Sequence, residues 1–155
     1  MRNSTHIAKD IKDYLKDAHL MQLATSVNDL PWVATVYFVV DDMLNFYWLS
    51  TPHRKHSEQL DINPRAAIAI AIKPDIPVIG LQAEGRVEIV HDIATIAKLM
   101  PGYIKKYNAG KDFVALAKKG ISNHRMYKFS PELLQYFDEQ NYTPEQNPMT
   151  LFFEK

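Results

Sequence analysis

Hydroxyl and basic side chains are concentrated directly after an aromatic stretch of the chain. The stretch Leu44–Leu49 has a composition typical of a half-buried strand, and Ser50 and Thr51 follow it. Pro52 then leads into His53–His56, which reads His-Arg-Lys-His. Because proline suits the first turn of a helix and threonine is a favourable N-cap, the pattern predicts a helix that begins at Pro52 with Thr51 as its cap.

The start of this predicted helix has the chemistry of an anion site. Its free backbone N–H groups and the positive end of its dipole favour a bound anion. Basic residues at this end lower the stability of a helix unless an anion offsets them. Hydroxyl and cationic donors surround the site at Ser50, Thr51, Arg54 and Lys55. The pattern therefore favours a phosphate site over the alternative, in which the basic side chains form a solvated helix face.

The composition limits the classes of function. The chain has 155 residues and no cysteine, which excludes thiol catalysis, thiolate zinc sites and iron–sulfur ligation. Lys and Arg together number 18, as do Asp and Glu, and this balance argues against a nucleic-acid or anionic-membrane partner. The N-terminus lacks the apolar core of a secretory signal, and no run has the length of a membrane span. We therefore expect a single-domain cytoplasmic protein.

The first part of the chain contains helix, hairpin and strand signals in that order. Leu20–Val27 and Trp32–Val40 have the composition of two hairpin strands joined by a turn at Asn28–Pro31. Asp41-Asp42 then turns the chain into the aromatic strand, and the helix after it should end at Ile62, because a proline follows two residues later. An amphipathic helix before the hairpin is predicted by apolar residues at helical spacing: Ile7, Ile11, Leu15 and Ala18.

Two further strands follow the predicted helix. Ala66–Ile72 alternates alanine with isoleucine, as expected for a central strand that faces two packed surfaces of different depth. Val78–Val90 predicts a long strand, and Gly80 and Gly85 are its expected bulge or close-approach points. Curvature at such points favours a barrel.

The last part of the chain is predicted to contain a helical region and two short strands. The pattern becomes helical at Asp92, is interrupted at Pro101-Gly102 and resumes at Phe113–Lys119. His124–Phe129 and Leu133–Phe137 read as strands. About six largely antiparallel strands with added helices indicate an α+β or mainly β fold, a small barrel with flanking helices. The tail, residues 139–155, ends in apolar residues that we expect to dock either on a neighbouring subunit or on their own domain.

A set of short motifs in a particular order connects this chain to a known family. The motifs span residues 20–138 and are Leu23–Thr25, Pro31–Phe38, Phe46–Ser50, Arg54-Lys55, Asn63–Ala67, Gln82–Val87 and Tyr127–Pro131. Their order and spacing resemble those of the pyridoxamine 5′-phosphate oxidase-like family of FMN-binding split barrels. The resemblance implies a six-stranded antiparallel split β-barrel over residues 1–138, followed by the tail.

The resemblance also implies a cofactor site. It predicts a homodimer with FMN at the subunit interface, in which Arg54 and Lys55 bind the phosphate with help from Ser50 and Thr51. The other expected cofactor contacts lie beside the basic pair and on neighbouring strands, at Thr35, Val36, Tyr37, Tyr47, Trp48, His53 and Gln82.

The activity implied by the resemblance is electron transfer between the flavin and a reduced nicotinamide or small organic substrate. No general acid or base is assigned, since Tyr37 and Tyr47 are either proton donors for such chemistry or, equally, packing residues. The true oxidases hold their substrate with Trp and Arg residues in a C-terminal extension, and nothing after Phe137 resembles it, so we expect a different substrate. A non-catalytic carrier or sensor of flavin or heme is the alternative, and relatives that use a deazaflavin keep that cofactor open.

Three other functions are less consistent with the residues. His53 and His56 have a spacing that could chelate a metal, but no neighbouring acidic residue completes the set, so we expect no metal site. Trp32 and Trp48 could stack nucleic-acid bases, but the balanced charge favours a place in the core. The Gly-Xaa-Ser-Xaa-Gly motif of many hydrolases is absent from the sequence.

Overall fold

The N-terminal amphipathic segment forms the first helix. The computed structural model describes residues 4–109 and 123–153, and α1 spans Ser4–Leu15. Ion pairs of 2.7 Å from Lys9 and Lys16 to Asp13 lie on its solvent side. The predicted apolar side is confirmed, because the core buries Ile7, Ile11 and Leu15, and also Ala18 just beyond the helix.

A two-residue turn joins the first two strands, β1 (Leu20–Val27) and β2 (Leu30–Tyr37). Asn28 and Asp29 both have positive φ angles, 51° and 61°, which match the twist of a tight antiparallel hairpin. The predicted bounds of β1 are confirmed. The predicted four-residue turn is wrong, because these two residues complete the reversal and the next two already pair with β1.

The predicted second strand is divided at Phe38. The short strand β3 (Val39–Val40) pairs with β4 (Phe46–Ser50) and not with β1. Asp41 organises the turn between them, since its carboxylate accepts hydrogen bonds from two backbone amides of the turn, both at 2.9 Å. The aromatic strand consequently begins two residues later than predicted.

The second helix, α2 (Lys55–Ile62), begins three residues later than predicted. The Arg54 amide donates to the Thr51 carbonyl at 3.2 Å and closes a separate turn, in which Pro52 occupies a position that favours proline. Arg54 is extended (φ −78°, ψ 141°) and is the N-cap, so the prediction of Thr51 as cap is wrong. The predicted end of the helix is confirmed, with Asn63 as an extended C-cap.

The next strand, β5 (Arg65–Lys73), has one buried and one exposed face. Ile68 and Ile70 point into the core, each 2% exposed, whereas Ala67 and Ala69 on the other face are exposed. The predicted interior position in the sheet is confirmed, since β5 lies between β1 and the following strand, β6. Among the described residues of the single chain, the packing is on its isoleucine face.

The strands β6 (Ile79–Ile89) and β7 (Arg125–Asp138) pair with each other, and their pairing contains a bulge. Their antiparallel register shifts between Glu84 and Gly85, so that β7 carries one extra residue there. This bulge accommodates Pro131 without ending the strand. The two short strands predicted for this region are therefore one strand, and the predicted role of Gly85 is confirmed.

The strands form one antiparallel sheet in the order β2-β1-β5-β6-β7-β4-β3, and β8 (Met149–Phe152) pairs with β7. The described residues thus contain eight strands where six were predicted, because β3 and β8 are too short to have a distinct sequence signal. The predicted class, an antiparallel split barrel with flanking helices, is confirmed. The sheet curls so that β2 and β4 come together, although they lie near opposite ends of the order. Within the single chain, the tail rests on its own sheet through β8.

A third helix, α3 (Ile93–Tyr107), continues through the predicted break at Pro101-Gly102. Tertiary contacts hold its second half: Tyr103 is buried, and the Tyr107 hydroxyl accepts a hydrogen bond from the Phe38 amide at 2.8 Å. The same hydroxyl also lies within hydrogen-bonding distance of the carbonyl oxygens of Phe38 and His19, which act as acceptors for its hydrogen. These contacts offset the helical hydrogen bond that proline cannot make.

Two further points concern the helices. None of the helices in the described ranges has the length and apolarity needed to cross a membrane. The predicted helical segment Phe113–Lys119 lies outside the described residues.

Gly85→Ala tests the close approach of β6 and β7. An added Cβ would overlap the Ser130 carbonyl oxygen and lie 2.9 Å from the Pro131 Cα, so the two strands would have to separate. We expect the free energy of unfolding, measured in urea, to fall by about 1–3 kcal/mol.

Gly102→Ala is the matched control. Apart from its chain neighbours and the adjacent helix backbone, no described atom lies within 4 Å of the Cβ it would add, and alanine favours a helix, so the free energy of unfolding should rise slightly. The same urea midpoint of unfolding for Gly85→Ala and the unaltered chain would contradict the close approach of β6 and β7.

Candidate functional site

One side of the curled sheet holds a hollow of about 650 Å³, here called the basic hollow. β2 forms one wall, and the end of β4 with the turn into α2 forms the other. Eight of the predicted site residues line it: Thr35, Val36, Tyr37, Ser50, Thr51, His53, Arg54 and Lys55. The other lining residues are Trp32, Ala34, Leu49, His56 and His124.

The start of α2 gives the basic hollow a positive potential. The side chain of the N-cap Arg54 makes no capping hydrogen bond, and Lys55 and His56 are the first two helical residues. The acidic residue of the first turn is Glu58, which does not line the hollow, and none of the lining residues that the structure describes carries a carboxylate. The free N–H groups of the first turn therefore add to the charge of the side chains. A bound anion would relieve this unfavourable arrangement.

A buried group of three polar side chains adjoins the basic hollow. Ser50 Oγ lies 2.8 Å from His56 Nε2, and Ser57 Oγ donates to Ser50 Oγ at 3.4 Å. Ser50 and His56 are each 7% exposed, and Ser57 is fully buried. Burial lowers the pKa of His56, and the nearby Arg54 lowers it further. The imidazole is consequently neutral at pH 7, despite its place beside a predicted anion site.

An aromatic side chain positions one of the two cations. Lys55 Nζ lies 4.2 Å from the centre of the Trp32 ring, a geometry in which the ring face attracts the ammonium group. Trp32 lies on β2, so this contact also joins the two walls of the hollow. The prediction that Trp32 lies in the core is wrong, because its side chain is 40% exposed and lines the hollow; its alternation with Ala34 on β2 is the sequence signal for this wall.

Three predicted cofactor residues do not reach the basic hollow within the single chain. Tyr47 donates to Asp41 at 2.9 Å, and burial together with this hydrogen bond raises its pKa. Trp48 is fully buried and stacks on Tyr127, with ring centres 5.3 Å apart. Gln82 donates to Gln135 at 3.0 Å on another part of the sheet.

Gln82 belongs to a second, shallower hollow of about 410 Å³. It covers the exposed side of the sheet, and alanines of β1 and β5 form much of it, so we call it the alanine face. Ile68 and Ala83 border it, although their side chains are buried. Its residues are Gln22, Ala24, Val33, Ala67, Ile68, Ala69, Gln82, Ala83, Glu84, Leu133 and Gln135.

Two histidines of the basic hollow were not among the predicted site residues. The sequence offers His56 either as half of a metal-binding pair with His53 or as a histidine on the surface or near the phosphate, and its place beside Ser50 depends on the turn before α2. His124 reaches the hollow because β7 pairs with β4, a contact between distant parts of the chain. Within residues 4–109 and 123–153, no three acidic or histidine side chains come close enough to hold a metal ion.

A sequence profile of the family described as pyridoxamine 5′-phosphate oxidase matches residues 7–138. The matched segment includes β1 to β7 and every residue of the basic hollow. This chain belongs to that family. The match confirms the resemblance that the motifs indicated.

A curated relative of this pyridoxamine 5′-phosphate oxidase family member is UPF0306 protein plu4501 from Photorhabdus laumondii. The two are 31% identical over 88 residues. The aligned part covers 55% of this chain and 62% of that protein, which is less than two thirds of its length.

Solved structures resemble the fold at low sequence identity. A conserved hypothetical protein from Mycobacterium tuberculosis has a TM-score of 0.72 and 14% identity, over 90% of this chain and 87% of that chain. A FAD-binding protein from Mesorhizobium loti has a TM-score of 0.62 and 18% identity, over 82% of this chain and 89% of that chain. A heme binding protein from Mycobacterium smegmatis has a TM-score of 0.67 and 18% identity, over 98% of this chain and 59% of that chain. At these identities the likeness establishes the fold.

His56 should make the stability of this family member sensitive to mild acid. Its pKa in the folded chain lies below the ordinary value of about 6.5, so the unfolded chain binds the proton first as the pH falls. The free energy of unfolding should therefore decrease below about pH 6.5. His56→Gln should reduce this dependence in urea unfolding measured between about pH 7 and pH 5.

The exposed His53 provides the control. His53→Gln should keep the pH dependence of the unaltered chain. Identical pH profiles for His56→Gln and the unaltered chain would contradict the depressed pKa of His56.

Proposed function

We propose that this protein binds FMN and that the basic hollow holds the FMN phosphate. The observation that carries the proposal is the start of α2, where an uncapped helix end, Arg54 and Lys55 adjoin a hollow whose described lining residues include no carboxylate. A phosphate monoester carries about 1.5–2 negative charges at pH 7 and has three acceptor oxygens. The donors that line the hollow fit such a group in both charge and hydrogen-bonding type.

The side chains of the hollow supply three kinds of donor to the phosphate. Arg54 offers a planar pair of N–H groups, and Lys55 offers a point charge that Trp32 already positions. Ser50 and Thr51 offer hydroxyl groups. Each charged hydrogen bond contributes roughly 1.5–3 kcal/mol, so Arg54 and Lys55 should dominate the affinity.

The edge of β2 is the part of the hollow that we assign to the flavin ring. β2 stands at one end of the order of the described strands, and among them it pairs through one edge, with β1. The segment Thr35–Tyr37 lines the hollow, and Tyr37 is 53% exposed. When bound, the flavin supplies the electron-transfer chemistry, and the protein fixes its position. We propose a cytoplasmic oxidoreductase that transfers electrons between this flavin and a nicotinamide or small organic substrate.

We also propose that two copies of the chain associate through the alanine face. Small side chains such as Ala67 and Ala69 allow two sheets to approach closely. Val33 on β2, which is 59% exposed, adds apolar surface at the border of this face. Gln82 lies on the alanine face and not in the basic hollow of its own chain, so it would contact FMN only across such an interface.

Heme is the second candidate ligand. His53, His56 and His124 line the basic hollow, and imidazole is a common axial ligand of heme iron. Among the structural neighbours, the Mycobacterium smegmatis protein is described as heme binding and the Mesorhizobium loti protein as FAD-binding. Absorbance spectra of the purified protein, alone and after addition of FMN or hemin, separate the two candidates. Reduction of bound FMN by NAD(P)H would then distinguish an oxidoreductase from a carrier or sensor.

The double variant Arg54→Ala/Lys55→Ala tests the phosphate assignment. It should weaken FMN binding about 100-fold or more, measured by quenching of flavin fluorescence, because two charged hydrogen bonds are lost. Lys98→Ala/Lys105→Ala removes the same charge from the exposed side of α3 and should leave the FMN affinity nearly unchanged. Equal FMN affinity in both double variants would contradict the assignment of the phosphate to the basic hollow.

Ala69→Arg tests the association through the alanine face. Its side chain is exposed in the single chain, so the variant should fold, yet two arginines would oppose each other in a dimer. We expect sedimentation to show a dimer for the unaltered chain and a monomer for the variant. Ala97→Arg, on the exposed side of α3, should remain dimeric. A monomeric unaltered chain, or a dimeric Ala69→Arg, would contradict this interface.

A further inference from the structure

The buried group of Ser50, His56 and Ser57 has a feature that phosphate binding by cations does not explain. Ser50 and His56 both line the basic hollow and lie within 2.8 Å of each other. A neutral, buried imidazole beside an anion site is unusual, because it adds no positive charge that would attract the anion. Its hydrogen bond to Ser50 is the observation from which a further role follows.

We propose that His56 is a positioning residue that takes up one proton when a phosphate monoester enters the basic hollow, and that it thereby directs the Ser50 hydroxyl toward the phosphate. This inference rests on the proposed function, since it requires the phosphate in that hollow. The proton comes from solvent and stays on the imidazole, and no covalent bond changes.

The direction of the Ser50 hydrogen follows from the number of donors around it. Ser57 already donates to Ser50 Oγ. If neutral His56 accepts through Nε2, the single Ser50 hydrogen points to the imidazole and away from the hollow. An imidazolium has only N–H donors, so it must donate to Ser50 Oγ. The Ser50 hydrogen is then released to bond an anion.

The charges around His56 favour its neutral form until an anion arrives. Burial and the positive charge of Arg54 both lower the pKa of His56. An anion beside Arg54 offsets that charge and attracts the imidazolium, so it raises the pKa of His56. The titratable and charged groups on the surrounding elements come from α2 and the turn before it, from β2, and from the start of β7 with the residue before it. They are His53, Arg54, Lys55, Tyr37, His124, Arg125 and Asp61. Arg125 of β7 pairs with Asp61 of α2 at 3.6 Å.

The ligand class follows from the same charges. A phosphate monoester is largely a dianion at pH 7, whereas each phosphate of a diester or an internal diphosphate link carries about one negative charge. The dianion offsets Arg54 more completely and so drives more proton uptake. The arrangement therefore favours a terminal monoester such as FMN over a dinucleotide such as FAD.

Isothermal titration calorimetry of the full chain with FMN tests the inference. Titrations at pH 7 in two buffers of different ionisation enthalpy give the number of protons bound with each FMN. We expect uptake of a large fraction of one proton and, by linkage, an FMN affinity that decreases from pH 7 to pH 8. His56→Asn should remove most of this uptake, whereas His53→Asn and His124→Asn should each keep more than half of it.

The outcomes separate this inference from the proposed function. FMN binding without proton uptake, or uptake that persists in His56→Asn, would overturn the role of His56 and leave the FMN site intact. Failure of the unaltered chain to bind FMN would overturn both. If His56→Asn does not fold, ¹⁵N spectra of labelled histidine in the unaltered chain replace it. The His56 ring nitrogens should then change from neutral to imidazolium shifts on FMN addition, and unchanged shifts would overturn the proposal.

Discussion

The concentration of positive charge at the start of α2 is the interaction on which this account depends. A helix normally begins with a hydroxyl or carboxylate cap that satisfies its free N–H groups, but α2 begins with Arg54, Lys55 and His56. The positive charges of Arg54 and Lys55 lower local stability unless a negative charge lies nearby, whereas the buried His56 is neutral at pH 7. Within residues 4–109 and 123–153, no carboxylate lines the basic hollow, so the charge is suited to a ligand from outside the chain.

The curl of the sheet places the charged first residues of α2 in a hollow. β2 and β4 stand near opposite ends of the strand order, and they meet only because the intervening strands bend. The bulge at Gly85, where β6 and β7 approach too closely for any side chain, is one source of that bend. The contact of Lys55 with Trp32 then joins the two walls directly. The site therefore depends on packing far from the residues that bind the anion.

The sequence predicted features that depend on local patterns and missed those that depend on long-range contacts. The bounds of β1 and the end of α2 follow from turn residues and from a proline, which act locally. The break predicted at Pro101 does not occur, because Tyr103 and Tyr107 hold the second half of α3 against the sheet. In the same way the anion donors were recognised from their order in the chain. His124 was not, because only the pairing of β7 with β4 brings it near them.

The most direct test of the central claim is a pair of titrations with FMN and riboflavin, which share the flavin ring and differ in the phosphate. If the basic hollow holds the phosphate, FMN should bind at least about 100-fold more tightly, since the charged hydrogen bonds of Arg54 and Lys55 contribute roughly 1.5–3 kcal/mol each. The advantage should shrink as the salt concentration rises. Equal affinities for the two flavins, or binding of neither, would contradict the account.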